Sequence, residues 1–260
     1  MNHPKPIELH GRPVGSGAFP LIITPLVGRT PADVMDELTA ILPKKPDLLE
    51  WRIDFFEPIG DTAQVIATAR AIKAAAGGIP VLLTRRNATE GGQPIPIGEA
   101  AVVAMYVDVC RARCVDLIDY ELSNAPENLK QLRAVSAENA VAMVMSYHNF
   151  QLTPESAVLD GKFIEAARLG ADIAKVAVMP KDPQDVLTLL AATYKASQTL
   201  GVPLISMSMG GLGSLSRMMG WVYGSAATFA VGKGSSAPGQ IAVEDLRAVL
   251  ATVRRAVTGG

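Results

Sequence analysis

Ile173-Ala174-Lys175-Val176-Ala177-Val178-Met179, followed by Asp182-Pro183 and an amphipathic run to Leu200, is the stretch on which the fold turns. Seven residues, apolar but for one, read as a strand covered on both faces. Asp182 ahead of a proline marks a helix start, a capping side chain before the residue type favoured at the first helical position. A buried strand that runs straight into a helix is half of a parallel βαβ unit.

The same unit recurs outward in both directions. Candidate strands are Leu21–Leu26, Asp47–Ile53, Pro80–Thr84, Val115–Leu122, Ala140–Tyr147, Ile173–Met179, Pro203–Met209 and Ser225–Val231. Helical stretches alternate with them: Pro31–Leu42, Asp61–Ala76, Gly98–Arg113, Pro126–Glu138, Pro154–Leu169, Pro183–Leu200, a short Gly213–Met219, and Val243–Val257. Thr30-Pro31 and Thr153-Pro154 repeat the capping pattern of Asp182-Pro183. Eight such units without a linker or composition break predict one closed (β/α)₈ barrel domain over residues 1–260. A doubly wound open sheet is the alternative, but no Gly-x-Gly-x-x-Gly turn follows the first strand. Residues 1–18 read as a tail and a small hairpin, Ile7 to Val14 around Gly11, across the N-terminal mouth.

Composition agrees. In 260 residues, 49% hydrophobic and 19% charged side chains support a large core and exclude disorder. A net charge of -1 offers no positive field for nucleic acid or an acidic membrane surface. Met1 to Pro6 has no apolar signal core, so a soluble cytoplasmic protein is expected. Cys110 and Cys114 read as small core residues on one face of one helix. His3 and His10 read as surface residues.

Charge inside strands needs a reason. Period two puts Glu50, Arg52 and Asp54 on one face and Trp51 and Ile53 on the other. Asp119 and Glu121 repeat the pattern, with Tyr120 and Leu122 opposite. Lys175 is the sharpest signal, because an ammonium buried without partners is too costly to persist; the position marks a candidate amine nucleophile for carbonyl substrates. The structural alternative is a lysine paired to a barrel carboxylate. His148 ends the strand one unit earlier, so a barrel brings it near Lys175, as a group able to take and return a proton near neutrality. Around the same rim lie Thr84-Arg85-Arg86 with Glu90-Gly91-Gly92, Gly210 to Ser214 leading to Arg217, and Gly232 to Gln240, long enough for a lid. Loops after strands seven and eight are the usual phosphate site of barrels.

Six blocks carry a family resemblance: Glu50-Trp51-Arg52-Ile53-Asp54; Thr84-Arg85-Arg86 through Glu90-Gly91-Gly92; Ser146-Tyr147-His148-Asn149; Lys175-Val176-Ala177-Val178-Met179-Pro180; Met207-Ser208-Met209-Gly210 through Ser216-Arg217; and Ser225 to Phe229 through Ser236 to Ile241. In order and spacing they resemble the type I 3-dehydroquinate dehydratases of the shikimate pathway. The resemblance implies a lyase that forms a Schiff base on Lys175, with His148 as general acid and base and Glu90 assisting it. It places substrate binding on Glu50, Arg52, Arg86, Arg217, Ser236 and Gln240. It implies a small carboxylate substrate, no metal or other cofactor, and a homodimer. Two positions depart from the family pattern, Gly211 where many members carry Lys, and Tyr120 in place of an aliphatic residue. A Schiff-base aldolase acting on a sugar phosphate, and a barrel that binds ligand without turnover, are the competing readings.

Overall fold

The computed structural model describes residues 6–15 and 19–259. Two short strands, β1 (Ile7–Leu9) and β2 (Arg12–Val14), form an antiparallel hairpin. Nine further strands follow: β3 (Leu21–Leu26), β4 (Leu48–Arg52), β5 (Val81–Thr84), β6 (Leu117–Glu121), β7 (Ala142–Asn149), β8 (Ile173–Val178), β9 (Leu204–Ser208), β10 (Ala227–Val231) and β11 (Ile241–Ala242). They pair in parallel in the order β11-β10-β3-β4-β5-β6-β7-β8-β9. The sheet curls until its ends meet, where Leu204 bridges Ser225 and Ala226 N donates to Leu204 O at 2.7 Å. Ser225 Oγ strengthens this closure by accepting from Ser206 N at 3.0 Å. The expected eight strands are therefore present, with β11 as a short addition beside β10.

Among the described residues eight α-helices flank the sheet: α1 (Pro31–Ile41), α2 (Thr62–Ala75), α3 (Glu99–Ala112), α4 (Pro126–Glu138), α5 (Ser156–Arg168), α6 (Pro183–Thr199), α7 (Ser214–Met219) and α8 (Val243–Thr258). Two of the three expected caps form. Thr30 makes a capping box with Asp33, and Asp182 accepts from Asp185 N. Thr153 does not cap α5, which starts later at Ser156. Its hydroxyl donates to Met179 O at 3.3 Å, while Asn149 Oδ1 takes the N–H groups of Gln151 and Leu152 and turns the chain before the helix. Cys114 is a second correction. Helix α3 stops at Ala112, Arg113 adopts a left-handed conformation, and Cys114 lies beyond the helix, although both thiols are buried and free. No helix among the described residues is long and apolar enough to cross a membrane.

The barrel interior is layered. Alternate residues near the strand starts, Ile23, Leu48, Leu82, Leu117, Val144, Ile173 and Ile205, form an apolar lower layer. Leu9 and Val14 of the hairpin pack onto it from below and stop the N-terminal mouth, as the alternation around Gly11 predicts. His10 and Gly11 both have positive φ, the requirement of a two-residue type I′ hairpin turn. Outside the barrel, the other strand face meets the helices in the largest apolar cluster, which includes Trp51, Tyr106 and Phe163. Apolar residues therefore seal the bottom and the sides, and the polar chemistry is confined to the upper half.

His10 is more than a surface residue, while His3 lies outside the described residues. His10 Nδ1 meets Gly78 O at 2.7 Å and Nε2 meets Asp116 Oδ1 at 2.9 Å, so both ring nitrogens face acceptors. The backbone carbonyl and the Asp116 carboxylate raise its pKa above 6.5, against opposition from burial and Lys73. A histidine raised on folding stabilises fully below its unfolded value and loses that contribution as pH rises through the folded value. His10→Ala should lower the thermal midpoint below pH 6.5 and have a smaller effect at alkaline pH. A deficit independent of pH would show that the charge on His10 does not anchor the hairpin.

Candidate functional site

Period two on β4, β6 and β8 sends Glu50, Asp119 and Lys175 into the upper half of the barrel, where all three are buried. Lys175 Nζ donates to Asp119 Oδ2 at 2.9 Å and to Glu50 Oε1 at 3.4 Å, and stands 4.8 Å from the centre of the Phe229 ring. This corrects the picture of an ammonium without partners: the same face supplies two carboxylates. Asp119 also meets Arg86 Nη2 at 2.9 Å and accepts from Ser146 Oγ at 2.5 Å. Arg86 Nη1 reaches Glu121 Oε1 at 2.8 Å and Ser146 Oγ at 2.9 Å. Burial pushes the Asp119 pKa up, but Arg86 and Lys175 together hold it well below the usual carboxylate range. Arg86 is correspondingly held charged by Asp119, Glu121 and Glu50 in spite of its burial.

His148 stands beside this lattice with a different electrostatic state. Glu90 Oε2 accepts from His148 N at 2.9 Å and lies 3.0 Å from Nδ1, while its Oε1 accepts from Ser123 Oγ at 2.6 Å. Burial, followed by the charges of Arg86 and Lys175, pushes the His148 pKa well below 6.5. Glu90 is raised by burial, with the Ser123 hydrogen bond and Arg86 acting against that rise. A neutral imidazole that donates from Nδ1 to Glu90 leaves Nε2 unprotonated and able to take a proton. The loop that delivers Glu90 depends on Gly91, whose φ is +83° and whose Cβ would lie 2.3 Å from the Phe150 ring.

The cavity above these groups has about 390 Å³ of empty space and is lined by Glu50, Arg52, Arg86, His148, Lys175, Ser236 and Gln240, with Phe150, Ala177, Met207, Met209, Phe229 and Ala237 as its apolar walls. Seven of the nine residues marked in the sequence thus border one pocket. Arg52 is paired with Asp54 through two bonds of 2.8 Å, and its Nη1 donates to Ser236 O at 3.1 Å. Glu90 and Arg217 stand one layer back, the first behind His148 and the second behind Met207 and the last loop. Arg217 Nη2 donates to Pro238 O at 3.0 Å and Nη1 approaches Met207 Sδ at 3.8 Å, while its buried Nε has no partner. Among the described residues no carboxylate pairs with Arg217, and burial alone pulls its pKa down to about 10.

The residue the sequence underrated is Asp119, noted for its pattern but not placed in the site. Ser146 was readable too, since it shares the inward face of β7 with His148. The two departures lie outside the pocket. Tyr120 points outward, where its hydroxyl donates to Glu99 Oε1 at 2.5 Å and its ring meets Tyr106 edge to face. Gly211 is exposed in the turn after β9 and does not border the cavity. Tyr106 ties the strand ends together behind the site, accepting from Arg85 N at 2.8 Å and donating to Asp119 O at 2.9 Å.

Comparison with known proteins gives a consistent result. The family model of the type I 3-dehydroquinase matches residues 22–256. The chain is 57% identical over 260 residues to a 3-dehydroquinate dehydratase of Albidiferax ferrireducens, covering 100% of this chain and 98% of that protein. The crystal structure of 3-dehydroquinate dehydratase from Geobacillus kaustophilus HTA426 superposes with a TM-score of 0.95 at 47% identity, covering 98% of each chain. A type I 3-dehydroquinate dehydratase from Clostridium difficile, with covalent modified comenic acid, superposes with a TM-score of 0.93 at 31% identity over 97% of this chain and 99% of that one.

The electrostatics of His148 can be measured directly. Nitrogen chemical shifts of the imidazole should report a neutral ring at pH 6.5, with the proton on Nδ1, and protonation only at lower pH. An imidazolium already present at pH 6.5 would contradict the arrangement.

Proposed function

The chain belongs to the type I 3-dehydroquinase family, and from that premise we propose that it dehydrates 3-dehydroquinate to 3-dehydroshikimate through an imine on Lys175, with His148 moving the protons. The observation that carries this reading is one amine on a buried carboxylate and one imidazole, its pKa lowered by burial, lining the same cavity.

His148, unprotonated in the free pocket, takes a proton from the Lys175 ammonium. The amine attacks the C3 ketone, and the resulting carbinolamine oxygen receives that proton and leaves as water, giving a protonated imine. The imine withdraws electrons from C2, so its C–H becomes acidic. His148 Nε2 removes that proton to give an enamine. The electron pair then returns to expel the C1 hydroxyl, which His148 protonates as it departs. Water adds to the conjugated imine, releasing 3-dehydroshikimate and restoring Lys175; the net change is the loss of one water. Glu90 holds the imidazole in the donor tautomer at Nδ1 and stabilises its charged form when it carries the extra proton, the role of the carboxylate in a hydrolase triad. Asp119 holds the amine at the pocket floor before reaction.

Substrate recognition follows from charge pairing. Arg52 and Arg86 already have carboxylate partners, so Arg217, one layer behind Met207 and the last loop, is the guanidinium with charge to spare for the substrate carboxylate, which it reaches as that loop closes over the ligand. A buried guanidinium without a counter-ion is costly, and a bound carboxylate relieves that cost. Ser236 and Gln240 cover the ligand from the last loop, and Glu50, Arg52 and Arg86 face its hydroxyl groups. The same reading includes a cytoplasmic enzyme of the shikimate pathway acting as a homodimer, without a cofactor. Apolar side chains exposed on α6 and α7, Leu187, Tyr194, Leu215 and Met219, give a second copy a surface to cover. The aldolase alternative finds no support in the family, and the intact Lys175–Asp119 and His148–Glu90 pairs argue against a barrel that only binds.

Treatment with 3-dehydroquinate and sodium borohydride should reduce the imine to a stable secondary amine and add one ligand-derived mass to the peptide containing Lys175. Arg217→Lys should raise the concentration for half-maximal labelling, because a point charge cannot reproduce a bidentate contact worth about 2 kcal/mol or more. Label on another lysine would move the nucleophile. Normal half-saturation in the Arg217 variant would move the carboxylate.

A further inference from the structure

Glu37 is a buried carboxylate that the mechanism does not use. It lies on α1, outside the barrel, and only 4% of its surface is exposed. Its Oε2 accepts from Val27 N at 2.6 Å and from Gly28 N at 3.0 Å, both in the loop that leaves β3. Its Oε1 accepts from Gly234 N at 3.2 Å, in the loop that leaves β10. Among the described residues no lysine or arginine forms an ion pair with it. Three backbone donors from two loops therefore converge on one buried carboxylate, and hydrogen bonds to charged groups are the stronger kind.

The loop it holds is the one that roofs the pocket. Two residues past Gly234, Ser236 and Ala237 enter the cavity lining, and Gln240 follows. Gln240 Nε2 donates to Ser236 Oγ at 3.2 Å and its Oε1 accepts from Ser236 N at 3.2 Å, so the two residues are tied into one unit. From the pocket side the unit is gripped through Ser236 O by Arg52, and from the far end through Pro238 O by Arg217 and Gly210 N. Glu37 adds a hold from outside. Contact there is close enough that a Cβ on Gly234 would lie 2.5 Å from Val27 Cγ2 and 2.9 Å from Glu37 Oε1.

We propose that Glu37 is a positioning residue for substrate binding: by accepting from Val27, Gly28 and Gly234 together, it sets the seat of the 232–240 loop and so the placement of Ser236 and Gln240 over the ligand. The proposal rests on the reading of the pocket as the 3-dehydroquinate site, but the attachment of the loop is testable without it.

Glu37→Gln leaves the shape unchanged and turns one oxygen into an N–H₂ donor that faces a backbone N–H. The expected result is KM for 3-dehydroquinate raised about tenfold with kcat within about threefold, since Lys175 and His148 are untouched. Amide hydrogen exchange should quicken at 232–240 and stay unchanged in the barrel strands. Gly234→Ala, which pushes the loop off an intact Glu37, should produce the same pair of changes and decides the matter if the Glu37 variant does not fold. A lowered thermal midpoint with unchanged KM and unchanged loop exchange would make Glu37 merely structural and overturn the proposal. If the unaltered protein fails to turn over 3-dehydroquinate, the functional reading falls, and the exchange comparison still decides whether Glu37 seats the loop.

Discussion

The contact between Lys175 Nζ and Asp119 Oδ2 at 2.9 Å is the constraint around which the interior is organised. An ammonium and a carboxylate inside a barrel each lose hydration, and removing one partner of such a pair costs about 3–5 kcal/mol because the other is left uncompensated. Asp119 is in turn shared with Arg86, which is shared with Glu121, so the charges form a connected lattice and not a single pair. That lattice needs a dry floor beneath it. The apolar layer from Ile23 to Ile205, closed from below by Leu9 and Val14, provides one and leaves the C-terminal mouth as the open side.

The same lattice bears on His148. Burial first, and then the charges of Arg86 and Lys175 close by, push its pKa well below 6.5 even with a carboxylate behind it. An amine on Asp119 and an imidazole on Glu90 are thereby held side by side.

The barrel was legible because two periodicities alternate along the chain without interruption; the strand at Leu21–Leu26 has the bounds expected, and that at Ile173–Val178 ends one residue before Met179. Inward-facing charge was legible for the same reason: Glu50, Arg52 and Lys175 stand out against runs of Val, Leu and Ile. Contacts that depend on distant residues were not. Thr153 precedes a proline as Thr30 does, yet its hydroxyl is drawn to the end of β8, a partner 26 positions away. Asp119 was seen as a charge but not as the partner of Lys175, because pairing across the barrel interior follows strand register and not sequence spacing. Glu37 had no signal at all; among the charged residues of an amphipathic helix, only the fold shows which one turns inward to two loops.

Whether turnover runs through the amine of Lys175 is read from product formation itself. On addition of 3-dehydroquinate, the unaltered protein should generate the ultraviolet absorbance of a conjugated enone. The Lys175→Met variant, folded and matched in volume, should generate none. No enone from the unaltered protein, or equal enone from the variant, would contradict a role for that amine in turnover.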